Sequence, residues 1–253
     1  MKYWIAGLIL FTGCWTVAFA GSHKSSNVQF SGRTVQSAPD GRTRKAKLFV
    51  GDNKVRLEYR KGGLEIVEIY DMENQRLLLL VPEQKIYMQR DFPPGQVVNP
   101  ILPPGESNPC SVMPEGKCKK LGDETMYGRP VSHWEVTLKR QGTTLHSLHW
   151  IDDERLMSLR DVWPDGSISE MKLLGIEDID GEKTERWQRT TVHPDGKKEV
   201  AVQWYDPLLG IAVREELPGG YVREIRDIRV GKQPEALFQV PDGYRQVDSN
   251  RQE

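Results

Sequence analysis

From Val28 onward, apolar and polar side chains alternate in short runs cut by turn dipeptides, and the period is two residues throughout. Val55, Leu57 and Tyr59 fall on one face of such a run and Arg56, Glu58 and Arg60 on the other. That is the signature of a sheet with one wet side. Val131 to Leu138 sets Trp134, Val136 and Leu138 together, and Lys198 to Tyr205 sets Val200, Val202 and Trp204 together. In the first half the pattern predicts strands over Val28–Val35, Thr43–Val50, Lys54–Arg60, Leu64–Tyr70, Arg76–Val81 and Lys85–Gln89. Nothing reads as a long amphipathic helix, so a mainly β fold is expected.

The turns agree with this. Pro-Asp-Gly stands at Pro39-Asp40-Gly41, Pro164-Asp165-Gly166, Pro194-Asp195-Gly196 and Pro241-Asp242-Gly243. Proline presets φ, aspartate bonds nearby amides and glycine accepts positive φ where the chain re-enters a strand. Asp161 to Lys172 has a faint likeness to a calcium loop, but Trp163 and Lys172 stand where ligands are needed, so a hairpin is expected there.

The second half is written twice. Trp150-Ile151-Asp152 recurs as Trp204-Tyr205-Asp206, Arg160 as Arg214, and the turn at Pro164 as the turn at Pro218, all with a shift of about 54 residues. Gly128 to Trp134 matches Gly181 to Trp187 with one residue less, so a length change is expected in the first hairpin of one copy. Two copies are too few for a closed array. They predict a duplicated antiparallel meander within one large sheet.

Between about Asp91 and Gly122 the strand pattern stops. Pro93-Pro94-Gly95, Pro100, Pro103-Pro104-Gly105 and Pro109 cannot sit in a central strand, and a long surface insert is expected. It carries Cys110 and Cys118.

The amino terminus bears on their chemistry. Lys2 precedes an apolar stretch that ends in Ala18-Phe19-Ala20, followed by the polar Gly21-Ser22-His23-Lys24. This predicts an export signal over residues 1–20, cleaved after Ala20, and a single domain over 21–253. A retained signal anchor is one alternative; acylation at Cys14, after Phe11-Thr12-Gly13, is another. No other segment is apolar enough to span a bilayer as a helix. In an exported chain, Cys110 and Cys118 are expected to pair, closing a small loop worth about 2–3 kcal/mol in the loop-entropy account. No histidine lies near them and their spacing fits no common zinc pattern.

Charge excludes more than it assigns. The full chain has 35 basic and 36 acidic residues, and losing Lys2 with the signal leaves a net charge of −2 (34 against 36). Nothing in that balance points to nucleic acid. The cluster Arg42-Thr43-Arg44-Lys45-Ala46-Lys47 reads as the polar face of a strand. The chain has no G-x-S-x-G, P-loop, G-x-G-x-x-G or H-E-x-x-H pattern. His146 and His149, three apart on a strand, point opposite ways. No catalytic residue, metal site or cofactor is expected.

Asn53-Lys54-Val55-Arg56-Leu57-Glu58, Ile69-Tyr70-Asp71 and the run Leu78 to Tyr87 resemble a family of bacterial envelope proteins related to the LolA/LolB/RseB-type lipoprotein carriers. Gly122 to Pro130 before a strand and Phe238 to Tyr244 near the carboxyl end are similar to the family's recurring stretches. The resemblance covers roughly residues 28–90 and 120–245 and rests on turns, glycines and tyrosines. It implies a strongly curved antiparallel sheet, an incomplete β-barrel, whose concave face holds an apolar cavity. Lipid or lipoprotein acyl chains are then the expected partners, in the periplasm, with another envelope protein as a second partner class. Candidate cavity residues are Leu57, Tyr59, Trp134, Leu148, Trp150, Trp187, Val202 and Trp204; for each, a place in the plain core is the competing reading. The carriers open with a helix and cover their cavity with helical segments, whereas residues 21–30 here are short and polar and the insert is proline-rich. Any lid is therefore a loop.

Overall fold

The structure is a computed structural model and describes residues 28–92, 100–101, 109, 116–140 and 142–248. Residues 1–27, Cys14 and the Ala20 cleavage site included, lie outside the described residues, as does Cys110.

Six strands form the first meander: β1 (Phe30–Ser37), β2 (Thr43–Gly51), β3 (Lys54–Lys61), β4 (Leu64–Asp71), β5 (Arg76–Val81) and β6 (Ile86–Asp91). Nine form the second: β7 (Lys117–Met126), β8 (Arg129–Arg140), β9 (Thr143–Asp152), β10 (Ser158–Val162), β11 (Ile168–Ile179), β12 (Glu182–Val192), β13 (Lys198–Asp206), β14 (Ile211–Leu217) and β15 (Tyr221–Val230). Antiparallel pairing of β1 with β15 joins the meanders, and β16 (Arg245–Gln246) adds to β6 in parallel. The result is one curved sheet of 16 strands that does not close into a barrel. Among the described residues there is no α-helix. β7 begins at Lys117, so Cys118 to Gly122 belong to a strand and the strand-free connection is shorter than the sequence indicates.

The duplication maps onto whole strands. β8 to β11 is one four-strand meander and β12 to β15 the other, with the extra residue in the Pro194 turn between β12 and β13. The hairpins that open the two copies are built alike: Tyr127-Gly128 and Asp180-Gly181 all have positive φ. Two consecutive positive φ values make the turn whose twist matches its flanking strands, which is why glycine closes both.

Two breaks in the ladder decide how the sheet packs. β10 pairs with β11 only as far as Arg160 opposite Glu170, while β11 continues with β12 to Ile179. In the second copy β14 leaves β15 after Arg214 opposite Glu224, while β15 continues with β1 to Val230. Beyond each break the hairpin end folds over the strands that follow. Met157 and Leu159 thus pack with Met171, Trp187 and Tyr205. Leu209, Ile211 and Val213 pack with Phe30, Leu48 and Val55. A third cluster lies where the short 3-10 turn Glu235–Phe238 covers Val67, Ile69, Leu78 and Leu80. Each large apolar side chain so enclosed stabilises the fold by about 1.5–3 kcal/mol. The face bearing Leu48 and Val55 is thus the one that β13 and β14 cover, and the opposite face is the one under Phe238.

In the strand order β6 stands next to one end of the sheet and β7 at the other. Two described residues of the connection between them reach inward. Ile101 packs against the central cluster and Pro109 is buried.

Candidate functional site

Cross-strand register shows which side chains share a face. Trp187 stands opposite Gln203, whereas Trp204 stands opposite Arg186 and Arg214; Trp134 stands opposite His149, whereas Trp150 stands opposite His133 and Arg160. Adjacent ladder positions alternate, so the tryptophans of each hairpin pair leave opposite faces. Leu148 shares the face of Trp150, and Val202 that of Trp204. Through the pairs Gln203–Glu215, Glu215–Arg223, Arg223–Gln36 and Gln36–Arg44, the Trp187 face continues into β2, and through Leu48 opposite Leu57 to Leu57 and Tyr59. Ladder register alternates the eight candidates between the two faces, but packing cuts across it, because the hairpin ends fold over: Leu57 and Val202 both pack against the cluster of Trp204, and Trp150 against the cluster of Trp187. Trp187 and Trp204, 1% and 6% exposed, are enclosed in core clusters.

The two tryptophans shared by the repeat have matching polar surrounds. Arg186 and Arg214 lie over the ring of Trp204 at 5.4 and 5.2 Å, and its Nε1 donates to Glu177 at 2.7 Å. Arg160 lies over the ring of Trp150 at 5.7 Å, His133 stacks on it at 4.1 Å, and its Nε1 donates to Glu124 at 3.0 Å. Glu170 holds Arg160 as Glu224 holds Arg214. Glu170 recurs as Glu224 with the same shift as Trp150, so this pairing too is signalled in the sequence. These groups fix the strands at the ladder breaks.

A second polar group sits inside the sheet. His149 Nδ1 lies 2.8 Å from Asp161 Oδ1 and its Nε2 lies 2.8 Å from Ser147 Oγ; Ser158 donates to the same Asp161 oxygen and Arg189 Nη1 to the other at 3.1 Å. His149 and Asp161 are 1% and 0% exposed. The order serine, histidine, carboxylate is that of a hydrolase triad. Here the carboxylate is shared with a guanidinium and a second hydroxyl, and the assembly ties β9, β10 and β12 together as a buried clamp. His146, on the opposite face, is exposed.

The face best suited to a ligand is the Leu57 side of β3 to β6. Leu57, Glu68, Leu79 and Met88 stand in one row across these four strands, with Tyr59 beside Ile66 and Tyr70 beside Leu77. All are half-buried. The opposite face of the same strands is the covered cluster around Phe238, so β5, Arg-Leu-Leu-Leu-Leu-Val, is apolar on both sides. That unbroken run is the pattern of a doubly covered strand. It is the signal that would have found Leu77 and Leu79; Met88, on β6, joins them only through its register with Leu79.

One carboxylate interrupts this face. Tyr59 and Tyr70 donate to the two oxygens of Glu68 at 2.6 and 2.9 Å. Burial, reinforced by the Glu68 charge, pushes both phenols well above their ordinary range, so they remain donors at neutral pH. Cys118 is far from this face, opposite Val136 at the other edge of the sheet.

No known family model matches the chain, and no curated protein matches it. Among solved structures, a LolA superfamily protein from Nitrosomonas europaea is similar at 12% identity and TM-score 0.36, over 86% of this chain and 91% of that one. An outer-membrane lipoprotein-sorting protein domain from Vibrio parahaemolyticus is similar at 10% identity and TM-score 0.35, over 85% and 90%. PNGF-II is similar at 8% identity and TM-score 0.33 over 88% of this chain, which spans 32% of PNGF-II. LolA and lipoprotein sorting are the names that the sequence resemblance carries. The fold itself rests on the strand ladders, since a likeness at these scores carries no argument.

Proposed function

We propose that this chain is an exported binding protein of the cell envelope that holds an acyl chain, of a lipid or a lipoprotein, on the Leu57 face of β3 to β6. The observation that supports it is the row Leu57, Leu79 and Met88, half-buried and apolar, on strands whose other face is already covered. Ligand sites are mostly apolar with a few placed polar groups, and Glu68 with its two tyrosines supplies that minority. Binding needs no reacting group, and the reading assigns none. Arg90, exposed and opposite Leu77 in the ladder, marks the polar rim of the face.

Lipid extraction and mass spectrometry of the exported protein are expected to find a bound acyl lipid, and a fluorescent fatty acid to bind and be displaced by it. Leu79→Asp and Met88→Asp are expected to weaken the probe about tenfold or more, since a charge set in an apolar site costs at least about 1.4 kcal/mol. Lipid-free protein that ignores the probe, or full affinity in both variants, overturns the reading.

Export goes with the signal at residues 1–20, whose removal predicts an intact mass starting at Gly21; a diacylglyceryl group on Cys14 would instead mean a membrane-anchored lipoprotein. In the same compartment Cys118 pairs with Cys110. Thiol labelling of denatured protein is expected to find both blocked until reductant is added, and free thiols in material from the oxidising compartment would refute the pairing.

A further inference from the structure

The ladder break between β10 and β11 leaves an edge. From Met171 to Ile179, β11 pairs with β12 on one side, and among the described residues no strand pairs on the other. Such an edge offers unpaired amides and carbonyls to another strand. A bulge between Leu173 and Gly175 kinks this edge, yet its apolar side chains stand open: Leu173, Leu174 and Ile176 are 43%, 50% and 60% exposed.

The duplicated copy gives the contrast. The corresponding stretch of β15 is Arg226-Asp227-Ile228-Arg229-Val230, where Asp227 is ion-paired with Arg33 and Arg226 with Glu224. Charges of this kind blunt an edge. One copy guards the edge left by its ladder break and the other presents leucine and isoleucine there.

We propose that the edge of β11 pairs with the β11 edge of a second copy of this chain, antiparallel about a two-fold axis at Gly175. A two-fold contact requires a surface complementary to itself. Met171-Lys172-Leu173-Leu174-Gly175-Ile176-Glu177-Asp178-Ile179 meets that condition. Reversed on itself, it sets Lys172 opposite Asp178 and Leu174 opposite Ile176, with Leu173 opposite Glu177, whose carboxylate stays with Arg186 and Trp204; Met171 and Ile179 remain with their core clusters. A slip of two residues one way puts Leu174 against Asp178 and moves Lys172 to Asp180, past the end of the strand. A slip the other way puts Glu170 against Asp178. The charges therefore select the register as well as the partner. Lys172 and Asp178 are both exposed; Lys172 Nζ lies 3.7 Å from Glu170 and 5.0 Å from the centre of the Tyr127 ring, and Asp178 accepts the Gly181 amide through one oxygen, so the intermolecular pair competes with these contacts. The surface lies on β11, apart from the β3 to β6 face, so this inference is independent of the proposed ligand.

Sedimentation velocity of the mature protein over a range of concentrations is expected to show a monomer–dimer equilibrium. Ile176→Asp is expected to leave monomer only, Lys172→Asp to weaken the dimer about tenfold, and Lys172→Asp with Asp178→Lys to restore it. Circular dichroism and melting confirm that each variant folds, and mixed Leu174→Cys and Ile176→Cys chains are expected to cross-link across the axis. A monomer at every concentration, a dimer indifferent to Ile176→Asp, or no rescue by the charge exchange overturns the proposal. So does a folded monomer whose fatty-acid binding is lost in Ile176→Asp, since the patch would then belong to a ligand.

Discussion

Replacing Asp161 by alanine is expected to lower the free energy of unfolding by about 3–5 kcal/mol, the usual cost of removing one partner from a buried charged pair. Asp161 is fully enclosed and receives Ser158, Arg189 and His149. Without it the Arg189 guanidinium loses its ion-pair partner on β10 and the His149 ring loses the group that orients it. The exposed pair Arg33–Asp227 is the control: Asp227→Ala should cost about 1 kcal/mol or less, because solvent screens both charges. Urea unfolding of the two variants at unchanged slope gives the comparison. A loss below about 1 kcal/mol in Asp161→Ala would mean that the clamp holds nothing together.

Trp204→Ala is expected to cost about 3–5 kcal/mol, the range for a large aromatic removed from a core. Trp150→Ala should cost clearly less, although the two tryptophans are equivalent in the repeat. Trp204 is enclosed by the central cluster, lies between two guanidiniums and donates to Glu177. Trp150 is half-buried at the margin of its cluster, with one guanidinium and the stacked His133. Truncating Trp204 opens a cavity and takes the ring from two guanidiniums that keep their carboxylate partners; truncating Trp150 lets solvent in. Equal denaturant midpoints for the two variants would show that the copies bear the same load.

The strand pattern was readable wherever alternation is local. Arg76–Val81 has the same limits in sequence and structure, and Thr43–Val50 and Lys54–Arg60 differ from the strands by a residue. Side chains two apart share a face whatever lies beyond the strand, so sequence alone can register it. The turns follow equally, since Asp165 accepts the Ser167 amide and Gly166 takes positive φ within a few residues of chain. The repeat followed too, with its shorter first hairpin.

Faces shared between strands were not readable, because they depend on register. Trp187 and Trp204 are both aromatic and close in sequence, yet one ladder step sends them to opposite faces. Arg189 reaches Asp161 across two turns of the meander, and no local rule brings them together. The proposed ligand face was half legible: Leu57 and Tyr59 were among the candidates, while Leu79 and Met88 join them only once β4, β5 and β6 are laid in order.

By itself the sequence determined a β protein, its turns, its duplication and the place of the proline-rich connection, since each depends on neighbours a few residues apart. Tertiary structure alone decided where the ladders break. The sheet splays after Glu170 and Glu224 because twisted strands cannot all stay paired while both faces are being covered. From those two breaks come the core clusters and the contrast between a guarded edge and an open one.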